Sequence, residues 1–329
     1  MAILVTGGAG YIGSHTVKYF QNRGEEVIVI DNLSTGHRES LVDVEFYCND
    51  IRDKESLYRI LNTHDIRGVI HFAASSIVGE SMTHAYEYYH NNVYGTICLL
   101  EAMRARGIQN IVFSSTAAVY GVPKTLPIRE TYEKQPNNTY GETKLSVEKM
   151  LQWFEKSYGI KHVSLRYFNA AGAIKTGEIG EDHFNETHLI PLVLQVPLGK
   201  RDKIDVYGTD YDTADGTCVR DYVHVMDLSL AHCKAMDYLD AGNQSDAFNL
   251  GCGEGFSVLD VINTAREVTG HPIPTEVKPR RIGDPPKLVA DYEKAKDHLN
   301  WEPVYRTLGE MVGDAWKWYK LHPMGFGRN

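Results

Sequence analysis

Tyr140 and Lys144 are the two side chains in this sequence best placed by type and spacing to move a proton on and off a hydroxyl. Thr139 and Glu142 read as a Ser/Thr-x-x-Glu capping box ahead of the amphipathic run Leu145, Val147, Met150, Leu151 and Phe154, which predicts a helix starting there. On that helix, residues four apart share a face. A free phenol titrates near about 10 and is a poor base at neutral pH, but an adjacent ammonium favours the tyrosinate and can bring it toward about 7. The same Tyr-x-x-x-Lys spacing recurs at Tyr120/Lys124, where Pro123 breaks the helix, and at Tyr292/Lys296, where YEKAKDHL reads as a solvated helix. Spacing alone therefore does not select Tyr140; a cofactor site aimed at it would.

Such a site is written at the start of the chain. AILVTGGAGYIGSHTVKYF reads as a short buried strand, a glycine-rich turn and a helix, with Gly8, Gly10 and Gly13 matching G-x-G-x-x-G and Gly7, Gly10 and Gly13 matching G-x-x-G-x-x-G. In this context the glycines allow a tight turn and close backbone approach, and the helix N-terminus offers amides to a pyrophosphate. The next strand, EEVIVIDNL, ends at Asp31, whose carboxylate can accept from both adenosine ribose hydroxyls and would repel a 2'-phosphate. No Lys or Arg directly follows it, so NAD is expected rather than NADP.

Strand and helix patterns then alternate: VEFYCNDI before a helix over residues 54–63, GVIHFAAS before a helix over 91–106, NIVFSSTAAVYG before the Tyr140 helix, and HVSLRYFNAAG closing the set. The fold expected is α/β, a Rossmann-type doubly wound parallel sheet, followed by a smaller mixed α/β substrate-binding lobe. Ligands in such sheets gather at the carboxyl ends of the strands, so Asp50, Phe72, Ala73, Thr116 and Phe168 or Asn169 should line one crevice. Beyond about residue 172, polar loops such as KTGEIGEDHFNETH and more frequent Pro and Gly place the boundary between residues 1–172 and 173–329.

Composition narrows the partners. A chain of 329 residues at 43% hydrophobic can bury real cores, while a net charge of -9 disfavours nucleic acid or an anionic membrane as partner. The five cysteines, Cys48, Cys98, Cys218, Cys233 and Cys252, are scattered without Cys-x-x-Cys or Cys/His ligand spacing, so neither a disulfide frame nor a metal is expected. With no basic leader and no long apolar stretch, the expectation is a cytoplasmic protein.

TGGAGYIGSH, DIRD, HFAA, VGES, NNVYGT, FSSTAAVYG, YGETK, RYFN, DGTCVRDYVHVMDL, NLGCGEGFSVLDV and RRIGDPP together span almost the whole chain. In them the sequence resembles the extended short-chain dehydrogenase/reductase superfamily, and within it is similar to the nucleotide-sugar 4-epimerases that interconvert UDP-glucose and UDP-galactose. The resemblance implies a bound NAD contacted by Gly7, Gly10, Tyr11, Ile12, Gly13, Asp31, Asn32, Asp50, Ile51, Phe72, Ala73, Ala74, Asn91, Ser114 and Phe168. It implies a catalytic trio at Thr116, Tyr140 and Lys144, and a sugar-nucleotide site drawing on Asn169, His188, Leu189, Tyr207, Arg220, Arg281, Asp284 and Leu288. Arg220 and Arg281 would hold the diphosphate, Tyr207 would lie against the uracil, and Leu288 would line the space beside the sugar C2 substituent. A homodimer through residues 92–103 and 143–154 is also implied.

Two positions depart from that pattern: Ser76 stands where many members carry a cofactor-contacting Lys, and His188 where an Asn often precedes Leu-x-Pro. Dehydratases on the same fold usually carry an Asp-Glu pair after the Ser/Thr of the fifth strand, and here Ala117 and Ala118 follow Thr116, which disfavours elimination. A non-catalytic, cofactor-sensing protein is the rival of another class. Retention of both Tyr140 and Lys144 speaks against it.

Overall fold

The structure is a computed structural model that describes residues 1–281 and 284–327, so Ile282 and Gly283 of the RRIGDPP segment lie outside the described residues. Its central feature is a seven-stranded parallel sheet. In chain order the first six strands are β1 (Ala2–Thr6), β2 (Val27–Asp31), β3 (Glu45–Cys48), β4 (Ile66–His71), β5 (Asn110–Thr116) and β6 (Lys161–Tyr167), arranged β6-β5-β4-β1-β2-β3. AILVT and VIVID are buried at every position, as strands covered on both faces must be. Their side chains divide by the period of two: Ile3, Val5, Val27 and Val29 join one core, and Ala2, Leu4, Ile28 and Ile30 the other. Helices Tyr11–Asn22 and Val225–Asp240 cover the first face; Lys54–Thr63, Gly95–Arg106 and Thr139–Tyr158 cover the second.

Three expectations need correction. The seventh strand, Asp246–Leu250, pairs in parallel with β6, and helix Val225–Asp240 packs its Leu228, Ala231, Ala235 and Met236 into the first core. The chain thus returns to the first layer after leaving it, and a cut at residues 172/173 does not follow the packing. The helix expected over 91–106 is α-helical only from Gly95, because Tyr89–Tyr94 winds more loosely as a π-helix. The Tyr140 helix is capped by Asn138, whose side chain accepts from the Gly141 amide at 2.8 Å, so Thr139 is the first helical residue and no capping box with Glu142 forms.

Beside this sheet lies a smaller unit. Val219–His224 is flanked by Gly255–Ser257, Lys287–Leu288 and Asn169–Ala171, and Ile204–Tyr207 pairs with Thr275–Lys278. Helices Leu189–Leu194, Val258–Thr269 and Leu308–Leu321 enclose its core around Val193, Ile262, Met311 and Trp318. Asp221 ties the loops together: its buried carboxylate accepts from the amides of Cys252 at 2.8 Å, Ala290 at 3.0 Å and Gly253 at 3.2 Å. Burial pushes its pKa up to about 7 against those donors.

Candidate active site

The strand order reverses between β1 and β4, and the dinucleotide cradle forms there. Phe72 and Ala73, just past β4, both donate to the Thr6 carbonyl, at 2.9 and 3.1 Å. Gly7 has φ +72°, and a Cβ on it would stand 2.5 Å from the Ala73 nitrogen. A Cβ on Gly13 would stand 2.2 Å from the Gly7 carbonyl oxygen, so the turn can close against its helix only with glycine there. Gly10 caps helix Tyr11–Asn22 with no side-chain acceptor, which leaves the first amides available to an anion.

Asp31 ends β2 with its carboxylate accepting from the amides of Ala9 at 2.9 Å and Leu33 at 2.8 Å. Burial raises its pKa, and the two amides oppose the rise. Asn32 donates to Asp50 at 2.9 Å, and the Arg52 side chain bonded to Asp50 holds that carboxyl well below the usual range. Ile51 is buried, Ala74 half-buried, and Ile12 packs into the first core. Tyr11 turns its hydroxyl away, donating to the Gly172 carbonyl at 2.6 Å, so its side chain stitches the two units together. These residues fit a dinucleotide: the turn has no room for side chains, the amides are open, and a carboxylate is fixed at the ribose distance along the chain.

The reactive pair stands at the end of β5. Lys144 is buried, donates to the Ser114 carbonyl at 2.8 Å, and has its nitrogen 5.8 Å from the Tyr140 ring centre and 4.9 Å from that of Phe113. Thr116 accepts from the Ala118 amide at 3.1 Å and hydrogen-bonds the Tyr140 phenol. Desolvation pushes Tyr140 up to about 12, opposed by that Thr116 bond, and pushes Lys144 down to about 7, opposed by the charge of Glu148. The expected ammonium-stabilised tyrosinate is therefore not the resting form: burial penalises both charges, so near pH 7 Tyr140 rests as the neutral phenol and Lys144 stands at the midpoint between ammonium and neutral amine.

The expected sugar side is assembled from separate segments. Arg220 lies 3.3 Å from Asp284 and donates to the carbonyls of Val219 and Pro285, while Leu288 sits opposite it in the paired strand. Arg281 stands apart with its guanidinium 4.3 Å from the Tyr207 ring centre, and Tyr207 is 37% exposed, so this aromatic is not core. Asn169 donates to the Asp221 carbonyl at 2.8 Å, and Phe168 and Leu288 both pack against the cluster that holds Leu145. His188 caps helix Leu189–Leu194 with its Nδ1 at 2.9 Å from both Glu181 and Glu186. Ser76 is exposed.

Residues 4–314 match the family model described as GDP-mannose 4,6 dehydratase. A UDP-glucose 4-epimerase of Halalkalibacterium halodurans is 57% identical over 99% of this chain and 98% of its own length. The chain belongs to the UDP-glucose 4-epimerase family. A crystal structure of a UDP-glucose 4-epimerase superposes with TM-score 0.98 at 50% identity, covering 100% of both chains. The Bifidobacterium longum UDP-glucose 4-epimerase, solved in complex with NAD+ and UDP, superposes with TM-score 0.93 at 39% identity, covering 99% of this chain and 100% of that one.

In this member of the epimerase family the reactive pair rests on a buried polar scaffold that motif reading passed over. Glu148, one turn beyond Lys144, accepts from Ser115 at 2.5 Å and from Arg166 at 2.6 and 2.9 Å. Arg166 donates on to the Tyr120 hydroxyl at 2.8 Å, and Tyr120 to Asn249 at 2.7 Å. The Tyr120 of the rival Tyr-x-x-x-Lys match is thus a structural strut, and Tyr292 of the other lies edge-on to Trp301. Asn92, 2% exposed, exchanges hydrogen bonds with the Ser75 backbone and donates to Thr143 at 3.1 Å, fixing the loop after β4 to the Tyr140 helix. Asn91 reaches Ser75 Oγ at 3.2 Å. Glu148 was findable as the next step of the four-residue ladder Tyr140, Lys144; Asn249, from the returning seventh strand, carried no local signal.

Proposed function

We propose that this protein interconverts UDP-galactose and UDP-glucose by NAD-dependent 4-epimerisation through a 4-keto-hexose. The observation that carries the assignment of roles is Tyr140, Lys144 and Thr116 converging at the end of β5, beside a cradle shaped for a dinucleotide. NAD, when bound, supplies the acceptor and donor of the C4 hydrogen and, in its oxidised form, a positive charge that favours tyrosinate.

The phenol oxygen of Tyr140 takes the proton of the sugar 4'-hydroxyl and later returns it, with the Thr116 hydroxyl bonded to the same oxygen. A neutral Tyr140 beside a neutral Lys144 holds as many protons as tyrosinate beside ammonium, so the reactive form arises by redistribution within the pair, without a proton from solvent. Arg220 and Arg281 bind the diphosphate, Tyr207 the uracil, and Asp284 positions Arg220. Inversion requires the ketose to present its other face, which suits a site that grips the nucleotide and leaves the hexose few partners. Ala117 and Ala118 following Thr116 offer no acid for elimination at the position where dehydratases carry theirs.

The two-helix homodimer is part of the same reading: Trp153 on helix Thr139–Tyr158 is 65% exposed, and Tyr94, leading into helix Gly95–Arg106, is 41% exposed. Among the described residues no helix is long and apolar enough to cross a membrane, which is compatible with a cytoplasmic enzyme. The deciding experiment incubates the purified protein with UDP-galactose and no added cofactor. UDP-glucose should appear and NAD should be released on denaturation; absence of product with NAD bound would refute the reaction, and recovery of NADP would refute the role of Asp31.

A further inference from the structure

Away from the reactive pair, Glu181, His183, Glu186 and His188 gather their side chains at the entrance to helix Leu189–Leu194. One ligand atom from each lies within 4.8 Å of all the others. The contacts form a closed ring: His183 Nδ1 is 3.3 Å from both Glu181 and Glu186, and His188 Nδ1 is 2.9 Å from both. We propose that these four residues form a four-coordinate site for a divalent transition ion of the Zn2+ class.

The spacing carries the assignment. With Zn–N and Zn–O bonds of about 2.0–2.2 Å, the edges of a coordination tetrahedron are about 3.3–3.5 Å. With one atom from each residue and Oε1 from Glu186, three of the six edges are already 2.9–3.3 Å, and the other Glu186 oxygen, Oε2, lies 3.3 Å from His183 Nδ1, so an ion can be taken up with small shifts of the imidazoles and a turn of the Glu186 carboxylate. The donors suit the metal: imidazole favours Zn2+ and its neighbours in the transition series over Mg2+ or Ca2+, and once the ion displaces to solvent the protons that each Nδ1 shares with the carboxylates, two carboxylates with two neutral imidazoles leave a charge that a divalent ion cancels.

The site is also built. Both glutamate side chains are only 6% exposed, and Glu186 Oε1 is fixed by the amides of Thr187 and His188, each at 2.7 Å. The Glu181 carbonyl accepts from Trp318 Nε1 at 3.3 Å, anchoring that end to the core. The imidazoles are the more open groups, 27% exposed at His183 and 50% at His188, and give an ion its way in. A search for Cys/His spacing misses the set because its pattern is Glu-x-His-x-x-Glu-x-His, with carboxylates in place of thiolates.

The segment it would fasten joins three parts of the molecule. Next to Glu181, the Asp182 carbonyl lies 2.9 Å from His37 Nε2 in the loop after β2, and the Asp182 carboxylate accepts from the Phe326 amide at 2.9 Å near the C-terminus. An ion at the ring would lock the loop that bridges them and sets the position of His188.

The test uses the full-length protein carrying its own cofactor, stripped with a chelator and titrated with Co2+ and then Zn2+. One Co2+ per chain should bind with the intense visible bands of tetrahedral coordination, Zn2+ should displace it, and Zn2+ should raise the melting temperature. His183→Asn and Glu186→Gln should each weaken binding by more than the about 10- to 100-fold that loss of an outer partner costs, and remove the thermal shift. If Glu186→Gln does not fold, His183→Asn, whose ring is the more exposed, decides alone. Octahedral Co2+ spectra, no stoichiometric uptake, or uptake unchanged in folded His183→Asn would overturn the site.

Discussion

The two sides of the crevice are held by different kinds of group. On the cofactor side, the cradle is mostly backbone: glycines that leave no room for a Cβ, open amides in the helix turn after Gly10, and an Asp31 carboxylate clamped by two amides. On the proposed sugar side, the groups are long side chains on separate segments, Arg220 beside Asp284 and Arg281 over Tyr207. The first arrangement cannot move without breaking secondary structure, whereas the second can readjust by rotation about side-chain bonds. That division suits an epimerase, in which the dinucleotide must stay fixed while the hexose turns.

The pair between the two sides is where a single change should do most. Tyr140→Phe keeps the ring and the helix but removes the oxygen proposed to handle the proton, so kcat should fall by about 100- to 10,000-fold while UDP affinity, measured by calorimetry, stays near normal. Near-normal turnover would mean that the proton moves elsewhere. The rigid side should fail next: Gly13→Ala drives a Cβ to 2.2 Å from the Gly7 carbonyl, and the purified variant should release far less than one NAD per chain on denaturation. Full occupancy would show that the turn is softer than its geometry implies.

Lys144 sharpens the comparison differently, because its role works against the fold. Its pKa falls from 10.5 unfolded to about 7 folded, so between these values the unfolded chain binds more protons and stability rises with pH. Below about 7 the full penalty of burying the ammonium is present. Lys144→Met should therefore be more stable than the parent toward urea at pH 6, with the advantage shrinking as pH rises toward 10. In the parent, kcat/KM should drop as pH falls through about 7, when the pair gains an extra proton and Tyr140 loses its proton acceptor. An advantage independent of pH would assign Lys144 to packing alone.

How much of this was legible in the sequence follows the same division. The cradle and the reactive helix are local: each is a run of a few residues whose spacing is its geometry, so Gly7, Gly13, Asp31, Tyr140 and Lys144 were readable directly. The cap slipped by one residue because Asn138 and Thr139 are both good capping types, and the side chain that reached the Gly141 amide was the earlier one. Asp246–Leu250 was not readable as part of the main sheet, since DAFNL is short and its partner is β6, far back along the chain. The Glu148–Arg166–Tyr120–Asn249 chain was hidden because each member lies on a different element and looks like an ordinary polar residue until the fold brings them together. Arg220 and Asp284 were paired by resemblance, not by spacing.

The smallest effect concerns the adjustable side and rests on Leu288. Its strand pairs it with Arg220, and its side chain, like that of Phe168, packs against the buried cluster of Val119, Tyr120, Ile128 and Leu145, the last being the neighbour of Lys144. Leu288 thus stands between the expected diphosphate site and the reactive pair, where the resemblance puts the sugar C2 substituent. A Tyr at this position would fill that space with a rigid ring, a small residue would open it, and Leu is intermediate and able to change rotamer. UDP-glucose and UDP-galactose should therefore be the main substrates, with weaker but measurable turnover of UDP-N-acetylglucosamine. A kcat/KM ratio beyond roughly 1000-fold, about 4 kcal/mol of discrimination, would mean that the space is already closed. Leu288→Tyr should lower the N-acetyl activity and spare the hexose activity, because only the bulkier substituent needs the room. Equal loss of both would make Leu288 part of the packing around Leu145 and Val119, and the adjustable side of the crevice would then end at the arginines.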